Sequence, residues 1–137
     1  MSLENTNKKV IREFTRVFKN EHNVDGIDHL FSQSFQHHFA PPARPGLLGF
    51  KDIGRMMNAA FPDVVVTEED LIVTADRVVE RSSARGAHWG DFMGNPPTGK
   101  PIAWTEIHIH RIADGKISEH WVEFAFHQLL MQTSGQA

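Results

Sequence analysis

Cysteine is absent from the chain, and with it disulfide bonds and thiolate chemistry. No stretch approaches the about 18 consecutive apolar residues of a membrane-spanning helix. The opening residues, Met-Ser-Leu-Glu-Asn-Thr-Asn-Lys-Lys, lack the apolar run of a secretory signal, so a cytoplasmic protein is expected. Positive charge is not in excess: 14 Lys and Arg stand against 17 Asp and Glu, a formal net charge of −3. Such a chain has no basic field to hold a phosphodiester backbone, and neither nucleic acid nor membrane is expected as a partner. A Gly-rich phosphate loop, a Gly-x-Ser-x-Gly elbow and interleaved basic and aromatic residues are missing as well. Tyrosine too is absent, whereas nine histidines and three tryptophans are present, most of them after Phe35. Histidine has its ordinary pKa near neutrality, so this surplus points to a site that position must locate.

A length of 137 residues is that of one domain with one core and room for a single cavity. Val10, Phe14, Val17 and Phe18 recur at helical spacing, with Lys9, Arg12, Glu13, Arg16 and Lys19 on the other side. Asp25-Gly26 breaks that pattern, and a shorter helix follows with Ile27, Leu30 and Phe31 facing inward. Phe35 to Phe39 reads as extended and ends at a margin loop carrying Pro41, Pro42, Pro45 and Gly46. A third helix is expected from Gly49, with Phe50, Ile53, Met57 and Ala60 in period, stopped by Pro62.

Beyond that point the period changes to two. Val64–Thr74, Arg77–Trp89, Ile102–Ile112 and Lys116–Phe126 read as four strands in meander, with Asp114-Gly115 a strong hairpin signal. Gln128–Gln132 reads as a last helical turn. Long strands joined by short turns twist and curl, and the helices must cover the concave face. The expectation is an α+β fold: a curved, mostly antiparallel sheet covered by N-terminal helices, with a pocket at the open end.

The segment richest in chemistry is Trp104-Thr105-Glu106-Ile107-His108-Ile109-His110-Arg111. Strand alternation puts Trp104, Glu106, His108 and His110 on one face, and Thr105, Ile107, Ile109 and Arg111 on the other. If the polar face is the concave one, Glu106, His108 and His110 form a catalytic set suited to proton transfer near neutral pH. Burial would then raise the pKa of Glu106 and lower those of the histidines, unless they pair with each other. The aliphatic face would be covered by something, such as a partner subunit. Two other readings stay open: a satisfied polar pair on a solvated face, and a metal held by His108 and His110 with Glu106 as third ligand. No second ligand cluster of recognisable spacing accompanies that pair, so neither metal nor cofactor is expected. Walls of a pocket for a small hydrophobic ligand are expected from Phe14, Phe18, Phe50, Met57, Trp104 and Phe124. His38, Trp121 and Glu123 are expected at its polar positions.

Five short motifs occur in order: Pro-Gly-Leu-Leu-Gly-Phe-Lys (45–51), Ala-Phe-Pro-Asp (60–63), Asp-Arg-Val-Val (76–79), Gly-Asn-Pro-Pro-Thr-Gly-Lys (94–100) and Asp-Gly-Lys-Ile-x-Glu-His-Trp (114–121). Together, over roughly residues 8–132, they resemble the SnoaL-like polyketide cyclases, also called predicted ester cyclases, of the NTF2-like superfamily. The resemblance implies a cone-shaped α+β barrel, a homodimer through the sheet, and cofactor-independent aldol cyclisation, isomerisation or dehydration of a small hydrophobic carbonyl compound. By position, His108 resembles the inward polar residue of the penultimate strand, and His38 a pocket histidine before the Pro-rich loop. Characterised cyclases use an aspartate late in the final strand; here that neighbourhood reads Phe124-Ala125-Phe126. A methyl group and two phenyl rings move no proton, so the base has to come from elsewhere. The alternative implied by that gap is a non-catalytic small-molecule-binding domain.

Overall fold

The computed structural model describes residues 2–39 and 44–135. The expected loop at Pro41 and Pro42 lies outside the described residues. Helix α1 (Leu3–Phe14) is capped by Ser2, whose hydroxyl accepts from the Asn5 amide at 3.1 Å. The chain then loosens into a π-helical segment, Thr15–Asn20, and a 3-10 segment, Val24–Leu30. Strand β1 (Phe31–His38) leads to α2 (Gly46–Ala60), and four strands follow: β2 (Val65–Val73), β3 (Arg77–Ala87), β4 (Pro101–Ala113) and β5 (Lys116–Phe124). Helix α3 (Phe126–Thr133) closes the order. Relative to the sequence reading, β1 begins four residues earlier and α2 three residues earlier.

The sheet order is β1-β5-β4-β3-β2, antiparallel throughout except for the parallel β1–β5 pair. The expected four-strand meander is present, and β1 adds to its β5 edge. Asp114 and Gly115 both adopt left-handed φ, 52° and 73°, which is the geometry of a two-residue turn matched to strand twist. The helices cover one sheet face. Ile11 and Phe14 from α1 pack with Phe31, Phe35, Phe50 and Val78 in one apolar cluster. Phe61, Phe92, Trp104 and Leu129 build a second one toward the other end. His88 is fully buried beside Phe61, and Trp89 is exposed. Gly54 permits a close approach of α2, since a Cβ there would lie 2.4 Å from the Phe18 ring.

The π-helical segment has a consequence for the site. Five residues on from the inward-facing Phe14, Lys19 would sit about 140° round a regular helix, on the solvent side. The pattern here is i→i+5, seen in the Glu21 amide donating to the Arg16 carbonyl at 2.9 Å, so each residue turns the chain less than in a regular helix and Lys19 comes back nearer the side of Phe14. Lys19 therefore swings inward and is buried, contrary to its expected place on the outer side of the helix.

Candidate active site

Strand register assembles the polar residues into rows across the inner face. His37 on β1 pairs with His120 on β5, and His120 pairs with His110 on β4. The next row joins Val122, His108 and Glu80, and the one beyond it Phe124, Glu106 and Ser82. Cross-strand neighbours on one face lie close enough for their side chains to touch. From the helical layer Lys19 descends onto two of these rows.

Its ammonium lies 2.6 Å from Glu80 Oε1 and 3.0 Å from Glu106 Oε1. Thr15 donates to the second oxygen of Glu80 at 2.6 Å, and the Trp104 indole to the second oxygen of Glu106 at 3.0 Å. Burial pushes both carboxyls up, but the Lys19 ammonium and the nearby histidines outweigh it, so both are held well below the ordinary range. The expected upward shift of Glu106 is thus reversed, because a buried cation that the helical pattern had placed outside is its partner. Burial likewise opposes the charge on Lys19, and the two carboxylates more than restore it.

His110 behaves as expected for a desolvated imidazole. Burial lowers His110 to about 4 against the pull of Glu80. Burial, with neighbouring imidazoles, also brings His37 to about 4 and His120 well below the ordinary value. Near pH 7 these rings are neutral and can both give and take a hydrogen.

A cavity of about 110 Å³ opens above this floor. Phe18, Phe50 and Met57 from the helices and Trp104, Val122 and Phe124 from the sheet make its apolar walls. Lys19, His37, Glu106, His108 and His120 are its ionisable lining. Glu106 is the one carboxylate that lines it among the described residues. The expected walls, Phe14 included, are therefore brought together with Glu106 and His108.

Four expected site residues lie elsewhere. His110 sits behind the floor, packed edge-on against Phe14 and beside His120. His38 is exposed, bonded to Glu119 at 2.7 Å and stacked on Trp121, so this pair belongs to the outer face. Glu123 is exposed as well. Adjacent strand residues point to opposite faces, so Glu123 and Phe124 cannot both line a pocket. The same parity puts His120, Val122 and Phe124 inside, and parity from His120 was the signal that could have found it. His37 rather than His38 faces inward for the same reason. Glu80 and Lys19 carried no local signal.

His108, His110 and His120 bring one ring nitrogen each within 4.8 Å of the others. The rings are stacked, His108 on His110 at 6° between planes and His108 on His120 at 30°, so their in-plane lone pairs do not converge. The 2.7 Å between His108 Nδ1 and His120 Nε2 is also shorter than the about 3.3 Å set by two zinc bonds at a tetrahedral angle. In this arrangement the three rings lie against one another with His108 and His120 hydrogen-bonded, and they do not form a ligand set.

A family model described as SnoaL-like polyketide cyclase matches residues 9–133. Nogalonic acid methyl ester cyclase of Streptomyces nogalater is 31% identical over 101 residues, covering 71% of this chain and 72% of that one. Among solved structures, AclR from Streptomyces galilaeus superposes with a TM-score of 0.87 at 25% identity, covering 98% of this chain and 99% of its own. IdmH from Streptomyces antibioticus does so with 0.79 at 31% identity, over 92% of this chain and 96% of its own. The sheet covered by helices, the polar floor under an apolar cavity and these likenesses agree: the chain belongs to the SnoaL-like polyketide cyclase family, with the NTF2-like α+β fold.

Proposed function

We propose that the protein carries out cofactor-independent acid–base chemistry next to a carbonyl of a small hydrophobic compound, of the aldol-cyclisation type. The observation that carries this reading is the cavity itself, with apolar walls above a floor of imidazoles backed by Glu106 and Lys19. Low dielectric makes each floor group count for more than it would in water. A ring-bearing ligand fits walls made of Phe18, Phe50, Trp104 and Phe124, and polyketide methyl esters are the substrates named for the related cyclases. The test is incubation with nogalonic acid methyl ester, followed by chromatography and mass spectrometry. A product of unchanged mass and new retention supports cyclisation, and loss of water supports cyclisation with dehydration. Recovery of unaltered ester alone, with binding shown by calorimetry, favours the second reading.

That second reading is a binding domain without turnover. It is favoured by the absence of a carboxylate from Phe124-Ala125-Phe126 at the end of the final strand, and by Glu106 being held in an ion pair with Lys19. As to assembly, Ile107 and Ile109 lie exposed on the outer face of β4, at 46% and 36%, which suits pairing of two copies through the sheet.

A further inference from the structure

Three imidazoles form an unbroken file across the inner face. His37 Nδ1 lies 3.0 Å from His120 Nδ1, and His120 Nε2 lies 2.7 Å from His108 Nδ1. His108 Nε2 then approaches Glu106 Oε1 to 2.9 Å, off the in-line direction of an ideal hydrogen bond. An ionised carboxylate only accepts, so a ring nitrogen that near to it carries the hydrogen.

This one assignment propagates along the file. With a single hydrogen, on Nε2, the His108 ring presents a lone pair at Nδ1, which requires Nε2–H on His120. His120 then offers a lone pair at Nδ1, which requires Nδ1–H on His37. The file ends in a lone pair on His37 Nε2. Among the described residues that atom has no hydrogen-bond partner; it is buried, and its ring lines the cavity.

We propose that His37 is the base that takes the substrate proton, and that His120 and His108 pass the resulting charge inward to Glu106. The proposal rests on the carbonyl chemistry above and assigns it a residue. The proton of an activated C–H goes to His37 Nε2, and its electron pair becomes the enolate. His37 Nδ1–H moves to His120 Nδ1, and His120 Nε2–H moves to His108 Nδ1. His108 is left as an imidazolium against Glu106. The enolate carbon then attacks the second carbonyl carbon, forming the C–C bond. The alkoxide so produced takes the proton back from His37 Nε2 as the transfers reverse, and nothing is gained or lost overall.

The charges around the file favour this direction. One ammonium, Lys19, stands between two carboxylates, Glu80 and Glu106, so one negative charge is unmatched at the deep end. An imidazolium at His108 would neutralise it. At the cavity end His37 is surrounded by Phe35, Phe39 and Phe50, with His120 as its polar contact and His38 beside it in the chain. His120 faces His37, His108, His110 and Phe50, none of them anionic. A charge left on either ring would be poorly solvated, which is why burial makes His37 a weak base by itself. Such a base suits carbon acids activated by two carbonyls, or by one carbonyl and an aromatic ring.

Two measurements test the file. Long-range proton–nitrogen NMR of histidine-labelled protein at pH 7.5 should show Nε2–H on His108 and His120 and Nδ1–H on His37. Nε2–H on His37, or Nδ1–H on His120, overturns the relay without any substitution being made. Separately, deuterium uptake at the activated methylene of 2-tetralone in heavy water should be catalysed by the native protein. It should fall at least about a hundredfold in both His37→Gln and His37→Phe. Uptake that survives both changes in folded protein rejects His37 as the base and leaves the carbonyl reading standing. Native protein that catalyses no uptake rejects the carbonyl reading and the role of His37 with it.

Discussion

On its inner face β4 carries Trp104, Glu106, His108 and His110, all buried or nearly so, with Glu106 the most open at 11%. On its outer face it carries Thr105, Ile107, Ile109 and Arg111, all exposed. Polarity therefore runs opposite to the rule for a strand with one wet face. The difference teaches that partners, and not hydropathy, set the burial of this strand. Glu106 and His108 have counterparts on other elements, Lys19 from the helical layer and His120 from β5, and Lys19 is shared with Glu80 of β3. Without such counterparts, placing charge in a low dielectric costs several kcal/mol per ion.

The comparison breaks most sharply if the buried cation is removed. Lys19→Met leaves Glu80 and Glu106 facing each other in the interior, and the expected loss is about 3–5 kcal/mol of unfolding free energy in urea. A loss under about 1 kcal/mol would mean that the inner face does not depend on its ion pairs. Next comes acid. The folded-state pKa values of His37 and His110 are about 4 and those of Glu80 and Glu106 are depressed, so the unfolded chain binds more protons at every pH in between. Stability is then complete above about pH 6.5 and falls as pH drops toward 4, first through the histidines and then through the carboxylates. His110 alone should contribute roughly 3 kcal/mol of that fall, at about 1.4 kcal/mol per pH unit. Urea midpoints measured between pH 8 and 4.5 check it, and the slope should flatten by nearly one proton in His110→Leu.

The outer face should answer quite differently. Ile109→Lys is expected to leave monomer stability within about 0.5 kcal/mol of the native value. If two copies pair through this face, native protein sediments as a dimer at micromolar concentration and the variant as a monomer. A native monomer would show that the exposed isoleucines have no such partner. The smallest effect is expected at Glu123, exposed on β5: Glu123→Gln should change stability by no more than about 0.5 kcal/mol and leave ligand affinity unaltered in calorimetry.

Much of this architecture was readable from local pattern. Period-two runs mark β2 to β5, Asp114-Gly115 marks a turn that needs left-handed backbone, and the order of short motifs from Pro45 to Trp121 carries the family. Alternation also fixed which residues of β4 share a side, since successive strand side chains must point opposite ways. None of this could say which side is interior. Hydropathy favoured Ile107 and Ile109, and the opposite face won because Lys19 and Glu80, distant in sequence, meet Glu106 there.

Three further choices were made only in three dimensions. The π-helical turn rotates Lys19 inward, the parallel β1–β5 register sets His37 and not His38 against His120, and β3 delivers Glu80 beneath them. By itself the sequence determined element type and strand-face membership, because those depend on neighbours a few residues away. Charge pairing, tautomer order and the depressed pKa values depend on groups that tertiary packing brings within 3 Å or so across 60 to 90 positions of chain.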